Sequence, residues 1–111
     1  MLSKKYRISS TLFKELKSNK PTLNIVGSYF YLKYYKDSEP RFGFVIQKRH
    51  VSKATTRNLL KRRLSSIVFL NISKFKPGNY VFITKRPISK EVNYEKINIE
   101  INYFLSEVFK S

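Results

Sequence analysis

Residues 48–63, Lys48-Arg49-His50-Val51-Ser52-Lys53-Ala54-Thr55-Thr56-Arg57-Asn58-Leu59-Leu60-Lys61-Arg62-Arg63, gather the side chains best suited to chemistry on an anion. On a helix Arg57 and Lys61 are neighbours at i,i+4, and Asn58 and Arg62 follow one residue further round. Guanidinium groups fork two hydrogen bonds onto phosphate oxygens, and an Asn amide offers a donor and an acceptor to a sugar or base edge. Lys48 and Arg49 precede this helix, Lys53 falls near its start, and the three extend the same rim of donors. Like charges this close cost stability unless a polyanion offsets them. The whole chain has the same need, because 23 Lys and Arg against 7 Asp and Glu give a net charge of +16 over 111 residues. Nucleic acid is the partner this balance favours, ahead of an anionic membrane or an acidic protein.

The chain offers little material for catalysis of its own. It has no cysteine, which excludes a disulfide framework, a thiolate zinc site and a cysteine nucleophile. The carboxylates are scattered: Asp37, Glu39 and Glu91 fall at turns or a helix start, and Glu95, Glu100 and Glu107 read as solvated helix positions. No paired acids and no metal-ligand set emerge from them, so neither a catalytic residue nor a protein metal site is expected. His50 has no acidic neighbour in sequence and reads as a surface or RNA-contacting side chain rather than a general base. Lys4, Lys5 and Arg7 precede no apolar run long enough for a signal peptide, and no stretch approaches the length of a membrane span. A cytoplasmic protein with no membrane partner and no small-molecule substrate is expected.

The basic rim needs a scaffold, and the patterning supplies one. Ser9, Ser10 and Thr11 offer N-cap oxygens before Leu12, Phe13 and Leu16, which suit one face of a short helix ending near residues 18–21. Residues 23–35 are β-branched and aromatic, with Phe30, Leu32 and Tyr34 alternating with Tyr31, Lys33 and Tyr35 as in a strand with one buried face. After a turn at 36–40, Phe42-Gly43-Phe44-Val45-Ile46 reads as a further strand. Leu60, Leu64, Ile67 and Val68 then fall on one side of a helix within residues 52–70. Pro77 and Gly78 mark a turn before the strand Tyr80-Val81-Phe82-Ile83. Ser89 is the expected cap of a last helix, with Tyr94, Ile97, Ile101, Phe104, Leu105 and Val108 on its stripe. No repeat or linker divides residues 1–111, so a single nucleic-acid-binding domain is expected: an α/β, two-layer sandwich with a small, mostly antiparallel sheet and three helices, in the order αβββαβα.

The run Gly43 to Ile46, then Lys48-Arg49, Ala54 and Arg57-Asn58-x-x-Lys61-Arg62, resembles the signature of the bacterial ribonuclease P protein subunit. Arg7-Ile8 with Phe13, the Phe30-x-Leu32 strand, the strand from Tyr80 to Arg86 and the amphipathic last helix follow in that family's order. Two positions depart from it: Leu59 stands where the family has a second Arg after the Asn, and Ser65 replaces an Arg common one turn on. The resemblance implies a subunit of an endoribonuclease, a hydrolase of tRNA processing whose RNA performs magnesium-dependent phosphodiester cleavage. Its protein is implied to bind that catalytic RNA and the 5′ leader of precursor tRNA, and so to assist 5′ maturation of tRNA. For RNA binding it points to Lys48, Arg49, Lys53, Arg57, Asn58, Lys61 and Arg62. For the leader it points to Phe13, Tyr31 and Lys33, in a cleft between the first helix and the sheet, apart from the basic helix; Phe13 also reads as a plain core residue. Magnesium, the only cofactor implied, serves the RNA. The alternative is a ribosomal-type structural RNA binder of similar charge and size, with a stand-alone nuclease as a weaker third.

Overall fold

The computed structural model describes residues 2–89 and 92–110. Helix α1 (Ser10–Lys17) begins where the Ser9 hydroxyl accepts the Leu12 N–H at 3.2 Å, which satisfies one of the free donors of the first turn. Residues 23–35 divide into two antiparallel strands, β1 (Leu23–Val26) and β2 (Phe30–Tyr35), around a turn at 27–29. Gly27 permits that turn, because a Cβ there would lie 2.7 Å from both the Glu100 carboxyl carbon and the Phe104 ring. Strand β3 (Pro40–Val45), helix α2 (Ala54–Leu70), strand β4 (Gly78–Thr84) and helix α3 (Tyr94–Lys110) complete the expected order, with short 3-10 turns at Lys4–Tyr6 and Ile72–Lys74.

Two expectations about α3 need correction. The cap of α3 is Asn93, whose Oδ1 accepts the Lys96 N–H at 3.0 Å, while the Ser89 carbonyl accepts the Val92 N–H. An Asn in that position satisfies the first turn as well as Ser would, so composition alone did not separate the two. Glu91, expected near the start of that helix, lies outside the described residues. Glu100 is not a solvated position: it is 6% exposed and faces the β1–β2 turn.

The sheet order is β1-β2-β4-β3, with β4 antiparallel to β2 and parallel to β3. A parallel pair requires a crossover, and α2 provides it. Register then sorts the side chains into rows across the sheet. On one face the rows Leu23-Tyr34-Tyr80-Phe42 and Ile25-Leu32-Phe82-Phe44 meet α2 and α3. Leu60, Leu64, Ile67 and Val68 of α2 are fully buried there, beside Ile97, Ile101, Phe104 and Val108 of α3. The Phe42 and Tyr80 rings stack at 5.2 Å, and Phe75 meets both edge-on, arrangements that aromatic quadrupoles favour.

The opposite face carries the rows Val26-Tyr31-Ile83-Val45 and Asn24-Lys33-Val81-Gly43. Helix α1 covers only part of it, where Ile8, Leu16, Tyr35 and Val81 form a second, smaller core with Leu12 and Phe13 against it. Gly43 makes that approach possible, since a Cβ there would collide with the Phe13 ring. Asn24 and Val26 stay exposed, and Tyr31 and Lys33 stay half-exposed.

Candidate nucleic-acid interface

The loop between β3 and α2 is fastened at both ends. At the sheet end, the Gln47 N–H donates to the Thr84 hydroxyl at 3.1 Å, its side-chain amide donates to the Thr84 carbonyl, and the His50 ring Nδ1 lies 3.0 Å from the same hydroxyl. His50 is therefore half-buried on a strand end, against a hydroxyl rather than a carboxylate. At the helix end, Arg57 Nη1 donates to the carbonyls of Val51 and Ser52 at 3.0 and 2.8 Å. With the loop held this way, Lys48 and Arg49 occupy a tight turn and are exposed, Arg49 with its Nε on the Gln47 side-chain oxygen.

Arg57 thus differs from its neighbours in the expected rim. Helical spacing puts it on the side of Leu60 and Leu64, where it is half-buried and works as a clamp on the loop. Lys53, Asn58, Lys61 and Arg62 are exposed, and Asn58 and Arg62 share the face away from the core. Arg63 turns toward the start of α3, donating to the Val92 carbonyl at 3.0 Å.

Asp37, Glu39, Glu100 and Glu107 are engaged away from the rim. Among the described residues the ion pairs are Arg41 with Asp37 and Glu39, and Lys110 with Glu107, none of them on the rim. The Ser38 N–H, the Asn79 amide and the nearby Arg41 hold the Asp37 carboxyl below its ordinary range. Both Glu100 oxygens accept backbone N–H groups of residues 28–30, at 2.8 to 3.1 Å for Tyr29 and Phe30. No three His, Asp or Glu side chains among the described residues gather closely enough to hold a metal ion.

On the open face of the sheet, Phe13, Lys17, Lys33, Tyr35, Val81 and Ile83 line a groove of about 190 Å3 between α1 and the strands. Phe13 is both part of the small core and a wall of this groove, so the two readings of it from sequence are compatible. Lys33 sits in the groove, whereas Tyr31 lies one row along, beside Ile83. The sequence suggested two separate surfaces, but register joins them. Ile83 pairs with both Tyr31 and Val45, and the next residue, Thr84, anchors the Lys48-Arg49 loop, so the aromatic face and the basic loop adjoin at one end of the sheet.

A family model described as ribonuclease P matches residues 2–108. The chain belongs to the ribonuclease P protein family. Membership makes it a protein component of ribonuclease P, an RNA-binding part of a ribonucleoprotein that processes tRNA, and it sets aside the ribosomal-type alternative. The ribonuclease P protein component of Nitratiruptor sp. is 34% identical over 80 residues, covering 72% of each chain. That of Pseudanabaena sp. is 30% identical over 84 residues, covering 73% of this chain and 72% of the relative. In fold, the chain is similar to the Staphylococcus aureus RNase P protein, with a TM-score of 0.77 at 18% identity over 93% of this chain and 94% of that one. The Thermotoga maritima RNase P protein gives 0.76 at 21% identity, over 91% and 96%. Members of this ribonuclease P family thus share the architecture even where few residues coincide.

Proposed function

We propose that the exposed basic rim, Lys48, Arg49, Lys53, Asn58, Lys61 and Arg62, binds the catalytic RNA of ribonuclease P through its phosphates, with Arg57 holding the loop that presents it. The open β-face with Phe13, Tyr31 and Lys33 takes the single-stranded 5′ leader of precursor tRNA. The RNA carries the magnesium-dependent hydrolysis, and among the described residues no cluster of acids gathers to hold a metal ion for the protein. The reaction belongs to the cytoplasm. No helix in the described residues is long and apolar enough to cross a membrane.

One observation carries this reading: in a chain with a net charge of +16, Lys48, Arg49, Lys53, Lys61 and Arg62 all lie exposed along one segment, and none of them enters the ion pairs found among the described residues. Exposed cations in a row repel one another, and an RNA backbone relieves that repulsion while lowering the repulsion between two RNAs. The magnesium needed for activity should fall accordingly.

Lys61 and Arg62 test the rim better than Arg57, whose removal would also release the loop. Replacing both with Ala should weaken binding to the catalytic RNA and flatten the logarithmic salt dependence by about 1 to 2 units, since each phosphate contact contributes roughly 0.7 to 0.9. A filter-binding titration across salt concentrations reads this directly, and an unchanged slope would remove these side chains from the interface.

Tyr31 tests the leader face. Tyr31→Ala removes one ring on which a base can stack, worth about 1 to 3 kcal/mol in single-strand complexes. The reconstituted variant should lose affinity for precursor tRNA and keep its affinity for mature tRNA, which has no leader. Equal losses for the two ligands would refute the role.

A further inference from the structure

Val26, Ile99 and Tyr103 are 58%, 64% and 44% exposed, and the three share one cleft. It measures about 510 Å3, lies between the β1–β2 turn and the outer face of α3, and is completed by Tyr29, Lys96 and the buried Glu100. Apolar side chains gathered in a concavity mark a binding site more often than scattered ones do. Charge selects the occupant. A second copy would bring another net charge of +16 to a cleft already flanked by Lys96 and by Lys85, whose Nζ donates to the Gly27 carbonyl at 3.1 Å. Glu100 is buried with both oxygens turned to backbone N–H groups of the turn, and Lys96 and Lys85 outnumber its single charge around the cleft. A flat, apolar ring on an anionic backbone suits aromatic walls with lysines at the rim, and that describes an unstacked nucleotide.

Position selects which nucleotide. Val26 is directly opposite Tyr31, so the cleft opens where the leader face ends, past the edge strand β1 and outside the groove walled by α1. We infer that this cleft takes a further base of the 5′ leader, beyond those on Phe13 and Tyr31, stacked on the Tyr103 ring with Lys96 and Lys85 near its phosphates. The inference rests on the leader reading of the open face.

Its test measures holoenzyme affinity for a set of precursor tRNAs whose leaders grow one nucleotide at a time, with Tyr103→Ala, Tyr103→Phe, Lys96→Ala and Tyr31→Ala variants. Tyr103→Ala should lower affinity about 5-fold or more, the lower end of one base–aromatic stack, but only for leaders longer than the shortest that responds to Tyr31→Ala. Tyr103→Phe should restore it, and Lys96→Ala should show a weaker penalty with the same length threshold. No penalty from Tyr103→Ala, or one that is the same for mature tRNA, overturns the inference while Tyr31→Ala keeps its own effect. Loss of assembly with the catalytic RNA overturns it in favour of that RNA as the occupant. Should Tyr31→Ala show no leader effect either, the leader reading itself falls.

Discussion

Leu64→Ala is expected to lower the unfolding free energy by about 2 to 5 kcal/mol, through lost transfer energy and the cavity left behind. The magnitude follows from position: Leu64 is fully buried at the centre of the α2 face, in the cluster that holds Leu60, Ile67 and Phe82. A side chain there has neighbours from both the sheet and α3, so little collapse can fill the gap. Because α2 also carries the rim, binding to the catalytic RNA should fail at temperatures where the variant unfolds and persist below them. Urea denaturation of the free protein gives the stability change, and a shifted midpoint at unchanged slope identifies it as a loss of stability. A variant as stable as the parent would mean that the core face of α2, and the rim opposite it, are wrongly assigned.

Glu100→Ala should cost about 2 to 4 kcal/mol, a large effect for an acidic residue on a helix. Its carboxylate joins α3 to the β1–β2 turn by accepting N–H groups from Ser28, Tyr29 and Phe30, and the Phe30 bond is buried. Charge-assisted bonds are stronger than neutral ones, and a buried donor left without an acceptor carries its full desolvation cost. Solvent can reach Ser28 and part of Tyr29, which keeps the loss below that of three buried donors. Glu100→Gln should recover part of it, because one oxygen remains to accept while the new NH2 faces donors. The same denaturation experiment measures both variants. A change within about 0.5 kcal/mol, typical of an exposed surface position, would contradict the account of this contact.

Much of this architecture was legible because periodicity reports burial. The spacing of Leu60, Leu64, Ile67 and Val68 named the core face of α2, and the alternation from Phe30 to Tyr35 named the buried side of β2 up to Tyr34. Tyr35, on the opposite side, is buried too, because α1 packs over it, and no local pattern announces a helix arriving from elsewhere. Arg57 was readable as a cation but not as a clamp, since its acceptors are backbone carbonyls, which every residue supplies. Glu100 was misread for a related reason: a lone acid on a helix reads as solvated unless its partners are visible, and they are N–H groups 70 to 72 residues away. Gly27 was the one local signal, a residue with no side chain at the place where the carboxylate enters. The junction of basic loop and aromatic face depends on β4 lying between β2 and β3, and strand order is a property of long-range pairing that spacing along the chain does not contain.

The central claim is that this protein serves a catalytic RNA rather than cutting RNA itself, and the direct measurement is the rate of 5′ processing of a precursor tRNA at low magnesium. A bacterial ribonuclease P RNA alone should be nearly inactive there, the protein alone inactive, and the two together should release the leader at the mature 5′ end. Cleavage by the protein without the RNA, or no gain when it is added to the RNA, would contradict the account.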